Sequence, residues 1–195
     1  MQTTTLSFQN IHDHGVLFTN LLRARRESFI VQRKWDLAEV DGMEFDQYDT
    51  PQSRWIAVHD AGEVLAGIRL TPTTARCGIY SYMIRDAQRG LLETIPASLL
   101  HCPAPVSPEV WETSRVFISR DVPADLRSKV QRDLMTEMVV SARNLGADRL
   151  LGLCPSIWGR WMRRIGFQTE AAGPVLDIGG VSNQCVSMRC PKLLH

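Results

Sequence analysis

The stretch Trp111-Glu112-Thr113-Ser114-Arg115-Val116-Phe117-Ile118 constrains the fold of this chain more than any other. Its aromatic and β-branched residues read as a strand. Behind it, Pro123 and Asp125 supply a helix start, Val130, Leu134, Met138 and Ala142 repeat every four residues, and Gly146 ends the run. Arg149–Leu153 then reads as a second strand. A strand, a long helix and a strand in that order cross over right-handedly, which makes the two strands parallel. The first strand also carries a carboxylate and a guanidinium that a purely structural strand would avoid. Side chains alternate along an extended chain, so Trp111, Thr113, Arg115 and Phe117 share one face while Glu112, Ser114, Val116 and Ile118 share the other. A bulge would bring Glu112 and Arg115 to one side, a common device for aiming polar groups beside a cleft. The alternative is a buried ion-pair strand.

Around this unit the punctuation is clear. Leu17 to about Arg33 has the rhythm of a helix. Trp35–Pro51 is acidic, contains a glycine and ends in a proline, so it reads as a long irregular loop, while its Trp35, Met43, Phe45 and Tyr48 argue for order. Trp55–His59 and Glu63–Leu70 flank Asp60-Ala61-Gly62 as a hairpin. Residues 71–78 read as a loop and 80–101 as helical in parts, with Pro96, Pro103, Pro105 and Pro108 breaking the chain ahead of the central strand. Pro155 opens a last helix through Trp158, Trp161, Met162 and Ile165 to Gly166, and a final strand covers about Gln184–Arg189. The order implies an α/β fold: a single domain over residues 1–195 with one mixed sheet and helices on both faces.

At 195 residues with net charge +1, the chain can fill one core and lacks the bulk charge of a nucleic-acid binder. Its five cysteines form no CxxC and leave one unpaired in any full disulfide scheme, which fits a reducing cytoplasmic compartment. No basic start followed by an apolar core is present, and no run approaches the roughly 20 apolar residues of a membrane span. The expectation is a soluble, unexported protein. His12-x-His14 has no third ligand at metal-site spacing, so no metal is expected.

The charged and aromatic residues fall into an ordered set. Arg25-x3-Phe29-x5-Trp35, then Met43-Glu44-Phe45-Asp46-x2-Asp49, then Arg69 in IRLTPTT, and Glu112-x2-Arg115 together resemble the bacterial acyl-homoserine-lactone synthase (autoinducer synthase) family, over roughly residues 20–167. The element order likewise resembles the acyltransferase fold of the N-acetyltransferase superfamily. The resemblance implies that an acyl thioester, carried by acyl carrier protein or possibly by coenzyme A, acylates the amine of S-adenosylmethionine. The methionine carboxylate then attacks its own γ-carbon and expels methylthioadenosine. S-adenosylmethionine is then a substrate, and no cofactor is implied.

The chemistry assigns candidate roles. Glu112 is the candidate base for the amine proton, directly or through water, with Arg115 beside it in the catalytic pair. Phe29, Trp35, Asp46 and Asp49 supply the aromatic and acidic surroundings that a sulfonium favours. Arg25, Arg69 and Arg115 either hold the methionine carboxylate or knit the acidic loop to the body with forked hydrogen bonds. In the resemblance the acyl pocket falls near Gln88 and Cys154, where family members place a Phe and a Thr, so no preference for 3-oxo chains is expected. Ser119-Arg120-Asp121-Val122 stands where the superfamily carries a glycine-rich pyrophosphate loop. Arg160, Arg163 and Arg164, with Arg143 and Arg149, form a basic set where the family docks an acidic carrier protein. Two rival readings are an acyl-CoA-dependent N-acyltransferase acting on another amine and a non-catalytic ligand-binding module.

Overall fold

The computed structural model describes residues 1–190. Along the chain it forms β1 (Gln2–Leu6), a 3-10 turn (Ile11–His14), α1 (Leu17–Arg26), a π-helical turn (Glu27–Gln32), β2 (Glu39–Val40), β3 (Met43–Glu44), β4 (Arg54–Asp60), β5 (Glu63–Pro72) and α2 (Met83–Gln88). There follow β6 (Val110–Ile118), α3 (Ala124–Asn144), β7 (Arg149–Pro155), α4 (Ile157–Arg164), β8 (Thr169–Ile178) and β9 (Val181–Arg189). These residues group into two compact units, one of Met1–Leu70 with Arg115–Ser141, the other built from Thr71–Ser114 and the chain from Ala142 onward.

In the first unit β1, β4 and β5 pair antiparallel in that order. The β4–β5 hairpin turns at Ala61 and Gly62, both at positive φ (46° and 87°), as a two-residue turn requires. Adjacent residues on a strand face opposite ways, and each face has its own helix. Leu6, Trp55 and Ala57 pack with Leu17 and Leu21 of α1 and with Phe117. Gly67, paired with Ala57, makes that approach possible, because a Cβ there would lie 2.6 Å from Leu21 and 2.7 Å from Phe117. On the other face Thr3 and Thr5 bond to Glu137 of α3, and Thr5 also bonds Ser141.

In the second unit β6 and β7 run parallel, as the crossover rule demands, with Val110–Thr113 set against Arg149–Gly152. Antiparallel β9 and then β8 follow beyond β7. Ile84 and Ala87 of α2 pack with Leu151 and Cys185. On α4 the buried Gly159 lies against Val186, the neighbour of Cys185 and therefore on the opposite face. The fold class is mixed α/β. Among the described residues no helix is long and apolar enough to cross a membrane.

Four strands are absent from the pattern: β1, β8 and the two-residue β2 and β3, which pair within the acidic segment expected as an irregular loop. β1 is QTTTL, with a single apolar residue to signal burial. β8 contains Gly173-Pro174 at a register shift between Ala171 and Val175. Proline is tolerated at bulges and edges but erases the alternating pattern of a strand. The bulge has a tertiary cause. His101 N–H donates to Ala172 O at 3.0 Å, and a Cβ on Gly173 would lie 1.9 Å from Leu99 O. The helix expected over Leu17–Arg33 is α-helical only to Arg26, and the region 80–101 is helical only over Met83–Gln88.

Candidate active site

The site begins where α1 changes character. A π-helical turn inserts one residue per turn and is frequent at functional sites. Here it covers Glu27–Gln32, after which Lys34 adopts a left-handed φ of 58° and Trp35 N–H donates back to Phe29 O at 3.0 Å. That closure stacks Trp35 on Phe29, with centroids 5.2 Å apart and planes 18° from parallel. Phe29 is buried while Trp35 is 47% exposed.

Beside them lies a network that binds the acidic loop to the body. Arg25 donates through Nη1 and Nη2 to the two carboxylate oxygens of Asp49, at 2.7 and 2.9 Å, and through Nε to Glu44 Oε2 at 2.6 Å. Arg69 donates through Nη1 to Asp46 Oδ1 at 2.6 Å and stands 3.0 Å from Asp49 Oδ1. Arg115 bridges Glu44 Oε1 at 3.1 Å and Asp46 Oδ2 at 2.7 Å. Trp55 Nε1, paired across the strands with Arg69, donates to Asp49 at 2.7 Å. Asp46 N–H also donates to Asp49 Oδ2. Three guanidinia therefore meet three carboxylates, and only Asp46 and Arg115 reach solvent, with side chains 9% and 10% exposed. Burial by itself would raise the Asp46 and Asp49 carboxyls. Arg69 and Arg115 outweigh it at Asp46, as Arg69 and Arg25 do at Asp49, so both stay below the usual carboxylate range.

The sequence motif assigns roles to five of these six charged residues and none to Glu44. The signal was present, because alternation in an extended segment puts Glu44 on the side of Asp46. In the sequence Trp55 signals only a strand. Arg115 is placed by a feature no pattern reveals: it sits at φ 55° within β6, a left-handed conformation costly for a residue with a Cβ. Arg25, Arg69 and Arg115 all pair with carboxylates of the acidic loop.

In the second unit Glu112 is wholly buried on β6. It receives the first N–H groups of α2, Ile84 to Oε1 at 2.7 Å and Met83 to Oε2 at 3.3 Å, where the positive end of the backbone dipoles favours an anion. Parallel pairing sets Glu112 opposite Leu151, beside the apolar group of Tyr82, Ile84, Leu99 and Cys185. The Tyr82 hydroxyl donates to Pro105 O, and burial followed by the Glu112 charge raises its pKa. Gln88 clips the proline-rich connection, donating to Cys102 O at 3.0 Å and accepting from Ala104 N–H at 2.7 Å. Cys154 pairs with Gln184 and, by alternation, points away from the face of Leu153 and Cys185. Neither Gln88 nor Cys154 belongs to that apolar group. Among the described residues no cluster of His, Cys, Asp and Glu could hold a metal ion.

A model of the autoinducer synthase family matches residues 9–192. The chain belongs to the autoinducer synthase family. A curated acyl-homoserine-lactone synthase of Ralstonia solanacearum is 34% identical over 166 residues, covering 82% of this chain and 76% of that protein. The structure of TofI, solved in a ternary complex with an inhibitor and MTA, aligns with a TM-score of 0.75 at 28% identity, over 97% of this chain and 92% of TofI. BjaI, described as a CoA-dependent acyl-homoserine lactone synthase and solved with SAM and isopentyl-CoA, shares the fold with a TM-score of 0.78 at 22% identity, over 96% of this chain and 82% of BjaI. As a family member the chain is an enzyme, an acyltransferase that forms acyl-homoserine lactone with S-adenosylmethionine as substrate.

Proposed function

We propose that this synthase is one catalytic domain over residues 1–195, working in the cytoplasm on S-adenosylmethionine and an acyl chain delivered by acyl carrier protein. In this reading Glu112 takes a proton from the ammonium of S-adenosylmethionine, directly or through water, and the amine nitrogen attacks the thioester carbonyl. The tetrahedral intermediate collapses, the carbonyl carbon–sulfur bond breaks, and the carrier leaves as a thiolate that is protonated by the second proton lost from the nitrogen. A carboxylate oxygen of the methionine part then attacks its own γ-carbon. The bond from that carbon to the sulfonium breaks with its electron pair moving to sulfur, releasing the lactone and neutral methylthioadenosine.

The observation that carries the reading is the charge-balanced network of Arg25, Arg69 and Arg115 with Glu44, Asp46 and Asp49, beside the stacked Phe29 and Trp35. Arg25, Asp49 and Arg69 form the buried frame. Asp46, Arg115 and the ring pair offer the acidic and aromatic surface that a sulfonium prefers. Glu112, wholly desolvated and tied to the start of α2, is the remaining carboxylate of the motif. Gln88, which clips the proline-rich connection, and Cys154 on β7 are assigned to the surroundings of the acyl chain.

Carrier protein is favoured over coenzyme A by the exposed Arg160, Arg163 and Arg164 of α4 and by the absence of a glycine-rich pyrophosphate loop from the sequence. The coenzyme A alternative has the BjaI fold likeness in its favour. The test offers purified protein S-adenosylmethionine with either acyl carrier protein or coenzyme A bearing the same chain, and measures lactone and methylthioadenosine by mass spectrometry. Both products in equal amounts, with kcat/KM higher for the carrier protein, are expected. Acylated product without methylthioadenosine would point to an N-acyltransferase of another amine, and higher kcat/KM for the coenzyme would reverse the donor assignment.

A further inference from the structure

The three arginines of the network are committed to three carboxylates, so a substrate carboxylate arriving there meets an array that is already neutral and whose forks are engaged. Arg33 is placed differently. Its guanidinium stands 4.8 Å from the centroid of the Phe29 ring and 5.4 Å from that of Trp35. The same Phe29 ring carries the Arg115 guanidinium at 5.7 Å, so Arg33 borders the network. Among the described residues, no carboxylate pairs with it.

The local backbone creates this placement. The π-helical turn, the left-handed Lys34 and the bond from Trp35 N–H to Phe29 O fold a seven-residue segment back on itself, which sets the Arg33 head against the ring pair. Resting on the rings withdraws it partly from water, and that desolvation lowers its pKa. An arginine stays charged at neutral pH all the same. A partly desolvated cation on an aromatic platform, with no anion of its own, is arranged to receive one. The planar fork matches a carboxylate through two parallel hydrogen bonds.

We propose that Arg33 binds the α-carboxylate of S-adenosylmethionine, with Phe29 and Trp35 holding its guanidinium for the purpose. The inference rests on the synthase reading and assigns the residue that grips one end of the substrate. It also bears on the second chemical step, since the gripped carboxylate is the nucleophile of lactone closure and is held until the amine has been acylated. The committed arginines then act as frame, and the carboxylate clamp comes from a residue outside the eight-position motif.

The experiment measures binding to the full chain by titration calorimetry with two ligands, S-adenosylmethionine and its decarboxylated analogue, which keeps the sulfonium, the adenosine and the amine. Arg33→Met retains a stem of similar length over the rings and removes the fork. Loss of a charge-assisted pair is expected to weaken S-adenosylmethionine by about 10- to 100-fold. Binding of the decarboxylated analogue should stay within about twofold of wild type, because that ligand lacks the group Arg33 grips. Arg33→Lys, which keeps a cation but not the fork, should fall between the two. Equal loss for both ligands would make Arg33 a structural residue and overturn the proposal. Unchanged affinity for S-adenosylmethionine, or a rise confined to the KM of the acyl donor, would overturn it too, the latter by assigning the fork to a donor phosphate. Wild-type protein that binds neither ligand would remove the synthase reading and this inference together, whereas the variant results bear on Arg33 alone.

Discussion

Replacing Asp49 by Asn tests whether the buried network is held together by charge. The Asp49 carboxylate takes both Nη groups of Arg25, lies 3.0 Å from Arg69 Nη1, and also accepts from Trp55 Nε1 and Asp46 N–H. The side chains of Arg25, Arg69 and Asp49 are at most 1% exposed, so little water is available to compensate. Asn keeps the shape but carries one amide NH2 where a second acceptor oxygen stood, and it leaves three guanidinia against the two carboxylates of Glu44 and Asp46. Removing one partner of a buried pair in this way costs about 3–5 kcal/mol. For a chain of this size each kcal/mol moves Tm by about 2–4 °C, so a fall of roughly 6–20 °C is expected in calorimetry, with a matching drop in the urea midpoint. The variant Arg25→Met/Asp49→Asn restores charge balance and should be less unstable than the sum of its singles by about 1–3 kcal/mol. A shift below about 2 °C for Asp49→Asn, or strict additivity in the cycle, would refute the claim that these residues act as one electrostatic unit.

Three further outcomes are expected. Glu112→Gln should lower turnover by about 10²–10⁴-fold while leaving S-adenosylmethionine affinity near wild type; its carbonyl can still accept from Ile84 N–H but its amide faces Met83 N–H, so Tm read alongside shows how much of the loss is structural. Asp46 and Asp49 are held below the unfolded carboxylate value of about 3.9. The stability they add is therefore present above about pH 4 and lost as pH falls through their folded values, and wild-type Tm should decline on acidification more steeply than that of Asp49→Asn. Iodoacetamide at neutral pH should label the exposed Cys77 and Cys102 first, because burial pushes Cys154 and Cys190 up to about 11 and Cys185 up to about 12; peptide mapping that found Cys185 among the first labelled would contradict its packing beside Tyr82 and Ile84.

The sequence by itself determined the elements whose patterns are local. Helical spacing marked α1 and α3, the Asp60-Ala61-Gly62 turn marked the β4–β5 hairpin, and crossover handedness made β6 and β7 parallel. It also supplied the ordered charged set, because residue types and their spacing are read directly from the chain. Tertiary structure decided the rest. β8 owes its bulge to the close approach of Leu99 O to Gly173, a contact between segments more than 70 positions apart that leaves no periodic trace. Partner choice within the site followed the same rule. The number of carboxylates delivered to the same buried volume was decided by the fold, which brought Glu44 along with Asp46 and Asp49 to the three arginines. Arg33 was left on its aromatic platform by a π-turn and a left-handed Lys34, backbone states that no periodic pattern in the sequence marks.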